Sequence, residues 1–523
     1  MKRRLIAMLL SFTMVTALTA CAGGTGTTPA ATSEPAAEAS ADEAEPAEEQ
    51  ETEADAGEEA PVAADLENRN IKIIFPYINA TPSDTEKISE ALSAITLEKY
   101  NCTVELEPIA YASYSEQFNL LMSDSNADID LVSTLSVSTN LAANVNKGYF
   151  LPITEELEKY GQDALREAGD YITAGVIDGD TYMVPVLHDM AAVTGIMFLK
   201  EYVDKYEIDL DSIKELSDLT PVFAKIKEGE GENFTPLFLN GNQYASLFVP
   251  LLGDTFGDNL GSLNQETGEV YNPYKTDEYR ELIELVRGWY EAGYINKDAA
   301  TTTTLWQEAA LAGTSACWPN NMKPGQPQNQ SNMIGQQCVG VQLGNILACT
   351  SNANYGWAVP YQAEDPERSV MVMNLLYGDE EFFNILCWGL EGEHYVRTED
   401  GHITFPEGVD ASSSGWYMNI GWAFGNQMIS YLWEGNDLDL WDQTREFNNN
   451  AQKSIAMGFV FDSSPVKNEF AACQAVLSEF IKDLETGSAD LSRLDEFNAK
   501  LDASGIDTII AEKQKQIDAF LGK

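Results

Sequence analysis

Ile71-Lys72-Ile73-Ile74-Phe75 is the first apolar run beyond a long acidic segment, and Pro76 closes it. A short, continuous run of β-branched and aromatic residues bounded by proline reads as a buried strand. Ser83 and Glu86 have capping-box spacing, and Ile88, Ala91, Leu92 and Ile95 then recur at helical intervals. Between Cys102 and Ile109, Val104 and Leu106 alternate with polar residues, which is the period of a second strand. Tyr114 to Met122 is amphipathic, and Asp128-Ile129-Asp130-Leu131-Val132 reads as a third strand. Strands separated by helices predict an α/β fold with a mainly parallel sheet covered on both faces. Ligands of such sheets sit beyond the carboxyl ends of the strands. Tyr77 and the segment from Ser133 and Thr134 to Ser138 are therefore candidate cleft residues.

Farther along, Tyr279, Leu282, Ile283, Val286 and Trp289 fall on one face of a helix over Asp277 to Tyr290, and Gly293 stops it. Gly505 to Leu521 repeats such a stripe with Ile506, Ile509, Ile510, Ile517 and Phe520. Pro236 to Leu239 reads as another strand.

Upstream of Ile71 lies a leader. Lys2, Arg3 and Arg4 are a positive n-region, and Leu5 to Leu18 is apolar but short for a membrane span. Leu18-Thr19-Ala20-Cys21 follows and resembles a bacterial lipobox. That resemblance implies a signal peptide over 1–20, cleavage before Cys21 and a diacylglycerol on its thiol. An ordinary secretory signal or an uncleaved anchor are the alternatives. Residues 21–68 are rich in Ala, Thr, Pro and Glu; from Ala22 on they hold 14 acidic residues, no Lys or Arg and no aromatic. Such a segment cannot offset its ordering entropy, so it is expected to be a disordered tether.

Across 523 residues there are 31 Lys plus Arg against 83 Asp plus Glu, a net charge of −52. With 44% hydrophobic residues the chain is nonetheless globular, and its length calls for two lobes or domains. A charge of this sign argues against a nucleic-acid partner, and against membrane contact other than through the lipid anchor. It also favours a neutral or cationic ligand over an anionic one. Three His leave little for a His-rich metal site, no metal or cofactor motif occurs, and no cofactor is expected. Besides Cys21 there are six Cys without C-x-x-C spacing, expected mostly as buried thiols, with one pair open among Cys317, Cys338 and Cys349.

The order of these pieces resembles the extracellular solute-binding proteins of bacterial ABC importers. The resemblance is carried by Tyr114-Ser115-Glu116-Gln117-Phe118, Met122-Ser123-Asp124 and Asp128 to Val132. It continues through Gly148-Tyr149-Phe150-Leu151-Pro152-Ile153, Asp178-Gly179-Asp180-Thr181-Tyr182-Met183-Val184-Pro185, Tyr290 to Ala299 and Leu311 to Trp318. Trp388-Gly389-Leu390-Glu391-Gly392-Glu393-His394-Tyr395-Val396 is similar to a sugar-type subgroup with a C-terminal domain of unknown function. So are Gly421 to Gln427, Gly458 to Asp462 and Gln514-x-Gln516. Glu393 departs from relatives that carry Lys or Arg after the Glu-Gly pair.

The resemblance implies a two-lobed periplasmic-binding-protein-like fold (type II), each lobe a mainly parallel sheet flanked by helices, with a helix-rich C-terminal extension. Lobe one is expected over 69–193 plus about 305–362, and lobe two over 194–304 plus 363–523. Function is expected to be capture of a small solute, a neutral oligosaccharide first, by hinge closure and delivery to ABC permease subunits. The protein is expected to be a monomer, not an enzyme, lipid-anchored on the outer face of the cell membrane. A peptide or cationic solute, a surface glycan hydrolase and an adhesion protein are the other readings.

Sugars present C–H faces that stack on aromatic rings and hydroxyls that need polar partners. Five of the nine Trp (Trp388, Trp416, Trp422, Trp433 and Trp441) fall within 54 residues. Trp416-Tyr417 and Trp422 with Asn426-Gln427 offer both kinds of group, against the alternative that such rings are core. Trp318 and Asn320 follow a strand, His188 and Asp189 follow the Pro185 strand, and Gln243 and Tyr244 follow the Pro236 strand; all are candidate ligand residues. Glu391 and His394 have helical spacing suited to acid–base work, but a structural hydrogen-bond role is the better reading.

Overall fold

The computed structural model describes residues 66–135, 141–191, 193–240, 247, 252–349 and 353–523. The leader, Cys21, nearly all of the tether, Ser136 to Ser138, Gln243 and Tyr244 lie outside the described residues.

The chain opens with β1 (Arg69–Tyr77), α1 (Thr85–Tyr100), β2 (Cys102–Ala110), α2 (Tyr111–Ser123), β3 (Leu131–Ser133) and β4 (Val184–Pro185). It continues with β5 (Val193–Leu199), β6 (Thr235–Leu237), α3 (Asp277–Glu291), β7 (Ser315–Met322), α4 (Gln326–Ile334) and β8 (Cys338–Gln342). Then come β9 (Leu347–Ala348), β10 (Gly356–Ala358), α5 (Pro366–Gly378), α6 (Glu380–Trp388), α7 (Leu440–Asn450) and β11 (Gln452–Lys453). Three helices close it: α8 (Lys467–Glu485), α9 (Ser492–Ser504) and α10 (Ile506–Phe520). Among the described residues no helix is long and apolar enough to cross a membrane.

Two sheets define two lobes. The first runs β2-β1-β3-β10-β4 and the second β8-β5-β7-β6. Ile73 pairs with Leu106 on one side and Leu131 on the other, both in parallel. The pairing is mixed overall. β10 is antiparallel to both β3 and β4, and β5 is antiparallel to both β7 and β8. A strand that arrives through an interlobe crossing has no crossover helix to force it parallel. β1 continues through Pro76 because β3 pairs only with Ile73 and Ile74, so the ladder on that side has ended before the missing N–H.

The lobe boundaries differ from the expected ones. Residues 315–342 supply β7 and β8 to the second sheet, and residues 366–433 pack on the first. Val370, Met373, Phe382 and Phe383 share one core with Ile71, Ile73 and Leu131. α3 and the three closing helices build the second lobe's core, where Tyr279, Leu282, Ile283, Val286 and Trp289 are all buried as the stripe predicts. Periodicity marks which face of an element is buried, but not the lobe it is buried in. The chain crosses between lobes three times: between Pro185 and Val193, between Gln342 and Gly356, and between Trp433 and Lys467.

Two local expectations fail for tertiary reasons. α1 has Asp84 as its N-cap, and no side chain caps it. The amides of Ser83 and Asp84 instead donate to the Gly415 carbonyl, and the Asp84 carboxylate pairs with His394 and Lys87. No pair forms among Cys317 and Cys338: both are free and buried, as are Cys102, Cys387 and Cys473. β5 lies between β7 and β8, which sets the two cysteine backbones about 10 Å apart, beyond disulfide reach. In the C-terminal stripe Ile506, Ile509 and Ile517 are buried, whereas Ile510 is half-buried and Phe520 exposed.

Asp130 sits buried at the amino end of β3, where its carboxylate accepts the Lys72 amide at 2.9 Å. Burial pushes its pKa up to about 6. A carboxyl with a raised folded-state pKa favours the native state at low pH and loses that contribution as pH rises from about 4 to about 6. The melting temperature of wild type should therefore fall relative to Asp130→Asn between pH 4.5 and 7.5. Parallel pH profiles for the two proteins would count against it.

Candidate functional site

A cavity of about 350 Å³ opens between the lobes. Its first-lobe side carries six aromatic rings, Trp388, Tyr417, Trp422, Tyr431, Trp433 and Trp441, with Asn419, Gln427, Glu434 and Asn436 interleaved among them. Its opposite wall is polar and comes from the hinge and the second lobe: Asp189, Lys323, Gln326, Asn329 and Asn332.

The rings hold one another at edge-on angles. Trp433 lies 5.5 Å from Trp388 at 76° and 5.4 Å from Tyr417 at 88°. Trp388 Nε1 donates to Ser430 Oγ at 2.9 Å, and Trp441 Nε1 donates to the Ser430 carbonyl at 2.7 Å. One serine thus orients two rings. Trp433 Nε1 finds no partner among the described residues. The segment carrying Trp433 is pinned from behind, since Glu434 donates to the Ile403 carbonyl and His402 Nε2 bonds the Asn436 carbonyl at 2.8 Å.

The charged groups of the polar wall neutralise each other. Lys323 Nζ lies 3.0 Å from Asp189 Oδ2, and His188 Nδ1 is 3.6 Å from Asp189 Oδ1. Burial alone would raise the Asp189 pKa, but Lys323 and His188 outweigh it and hold the carboxyl below the usual carboxylate range. His188 Nε2 bonds Tyr355 Oη at 2.9 Å, and Tyr355 meets Trp422 edge-on at 6.1 Å. Asn332 Nδ2 reaches the Gly435 carbonyl across the cavity mouth at 3.4 Å.

Of the residues singled out from sequence, Asp189, Tyr417, Trp422 and Gln427 line this cavity, and His188 stands behind Asp189. Asn320 supports the wall indirectly by accepting from Gln326 Nε2 at 2.9 Å. The other described candidates are elsewhere. Trp318 is fully buried and stacked on Trp306 at 4.3 Å, so its ring offers no face to a ligand. Asn426 is buried, donating to Glu167 and accepting from the Met428 amide. Ser133 and Thr134 are buried, and Thr134 is tied to the Gly356 main chain. Tyr77 is partly buried at the end of β1, with its hydroxyl on Thr81 at 3.2 Å.

Sequence reasoning missed Lys323, Asn329, Asn332, Tyr431 and the individual roles of Trp388, Trp433 and Trp441. The clustering of Trp was the available signal. Four of those five Trp face the cavity, and Trp416 is the buried exception, its Nε1 on the Leu386 carbonyl at 2.8 Å.

Glu391 and His394 are not paired. Glu391 binds Arg397, while His394 is buried with Nδ1 accepting the Leu390 amide and Nε2 3.0 Å from Asp84. Asp84, Glu393 and His394 could offer ligand atoms to a metal within 4.8 Å of one another. The Lys87 ammonium pairs with both of those carboxylates and already supplies the positive charge.

Residues 79–381 match the family model of the bacterial extracellular solute-binding proteins, and residues 455–522 match a domain of unknown function, DUF3502. A carbohydrate ABC transporter substrate-binding protein of Streptococcus pneumoniae is 26% identical over 459 residues, 85% of this chain and 90% of that one. Among solved structures, the N-glycan transport solute binding protein of S. pneumoniae superposes with a TM-score of 0.72 at 22% identity, covering 87% of this chain and 99% of that one. The same protein in complex with Man1GlcNAc gives 0.60 at 23% identity, covering 87% and 100%.

Proposed function

The chain belongs to the bacterial extracellular solute-binding protein family, and from that premise we propose that it captures a neutral oligosaccharide between its lobes for an ABC importer. The observation that carries this reading is the opposition of a six-ring aromatic wall to an amide-rich polar wall. Flat C–H faces of pyranose rings stack on the former, and hydroxyls bond Asn329, Asn332 and Gln326 on the latter. Asp189 is already matched by Lys323, so its carboxylate does not by itself call for a cationic solute. The carbohydrate and N-glycan names of the relatives point the same way.

Closure then does the work. Contacts made by both walls exist together only when the lobes approach, so a bound glycan shifts the hinge equilibrium. On this reading the protein is a receptor and not an enzyme. It is a monomer held at the outer face of the membrane through Cys21, with 21–68 as spacer, and its closed form is what the permease subunits recognise.

A thermal-shift and calorimetry panel of mono- and oligosaccharides, short peptides, polyamines and amino acids tests it. A ligand at a hundred times its Kd adds about 2.7 kcal/mol of stability. The expected result is a rise of several degrees with one glycan series and no product formed. A shift with peptides or polyamines alone would sink the oligosaccharide reading.

A further inference from the structure

We propose that Asn448 is a positioning residue that couples the sugar site to the hinge, an inference that rests on the oligosaccharide reading above. Asn448 is buried on α7. Its Oδ1 accepts from the Met190 amide at 2.9 Å, and its Nδ2 donates to the His188 carbonyl at 2.6 Å. The two partners fix the amide's orientation, since one is only a donor and the other only an acceptor. Between them stands Asp189, an acidic group that lines the cavity. One side chain on the third interlobe crossing thus clasps the first crossing on both sides of a site residue.

Two further observations extend this. Leu440, Trp441 and Thr444 line the cavity from the same helix, and their spacing from Asn448 puts all four on one helical face. The third crossing also holds the second, because β11 pairs with β9 in parallel and the Gln452 amide donates to the Ile346 carbonyl. A glycan seated against Trp441 and Asp189 therefore touches both ends of the clasp. Movement of α7 on closure carries Asp189 with it, and loss of the clasp frees Asp189 from the position at which it meets Lys323.

A double-mutant cycle decides the matter. Asp189→Asn and Asn448→Ala are each expected to weaken binding of the best glycan of the panel about tenfold. If Asn448 acts through Asp189, the double variant stays within about twofold of the weaker single. A purely structural Asn448 would instead give the product of the two losses, near a hundredfold, and that result overturns the proposal, as does wild-type affinity in Asn448→Ala. Asn448→Ser, which keeps a polar atom there, takes its place if the alanine variant unfolds. Should the wild type bind no glycan, the oligosaccharide reading fails, and ligand-free amide exchange judges the clasp. Faster exchange at Gln452 and Ser454 in the Asn448 variant supports coupling of the crossings; a change confined to Met190 overturns it.

Discussion

Trp433→Ala weakens binding of the best glycan of the panel by about 30- to 1,000-fold, the equivalent of about 2–4 kcal/mol. The ring sits where three others meet: Trp388, Tyr417 and Phe405, the last at 4.6 Å. Truncation removes one stacking face and frees its neighbours to turn out of the cavity, so the loss exceeds a single contact. Trp416 is the control. It is fully buried and hydrogen-bonded, so Trp416→Ala costs stability, about 3–5 kcal/mol, while the folded fraction keeps its affinity. Calorimetry together with thermal melts separates the two. Unchanged affinity in Trp433→Ala would remove the aromatic wall from the site.

Lys513→Met destabilises the protein by about 3–5 kcal/mol, although it swaps a charged residue for an apolar one of similar length in a closely packed region. The Lys513 side chain has no exposure, and its ammonium lies 2.6 Å from Asp258 Oδ1. It also sits over the rings of Phe256 at 4.7 Å and Phe461 at 5.1 Å. Burial lowers the Lys513 pKa, against the pull of Asp258. Removing the ammonium leaves Asp258 without its counter-charge in a place where water reaches it poorly. Pairing the change with Asp258→Leu should restore most of the loss, because a buried ion pair adds little over apolar packing once both charges are gone. Denaturant melts of the two singles and the double measure this. A harmless Lys513→Met would show that water already screens the pair.

The same helix shows how sequence and structure divide the work. Its stripe is legible as Ile506, Ile509 and Ile517, yet the position between them is Lys513, which no hydrophobic period would put inside. Gln514 and Gln516 were visible only as a motif. The fold uses them as clamps on opposite sides, Gln514 on the main chain at Gly268 and Val270 and Gln516 on Asp462.

By itself the sequence determined the local elements and the family. The run 71–75 had to be a buried strand, and the stripe from Tyr279 to Trp289 had to face a core, because burial at period two or 3.6 leaves its mark within one element. It also determined a strongly acidic chain. Only the tertiary structure decided that 315–342 belongs to the second sheet and 366–433 to the first, because strand pairing across a crossing depends on partners more than a hundred residues away. It alone decided which Trp are core and which are wall. Trp416 and Trp433 present the same ring and differ only in what the distant chain lays against them: main chain and helix for one, open cavity for the other.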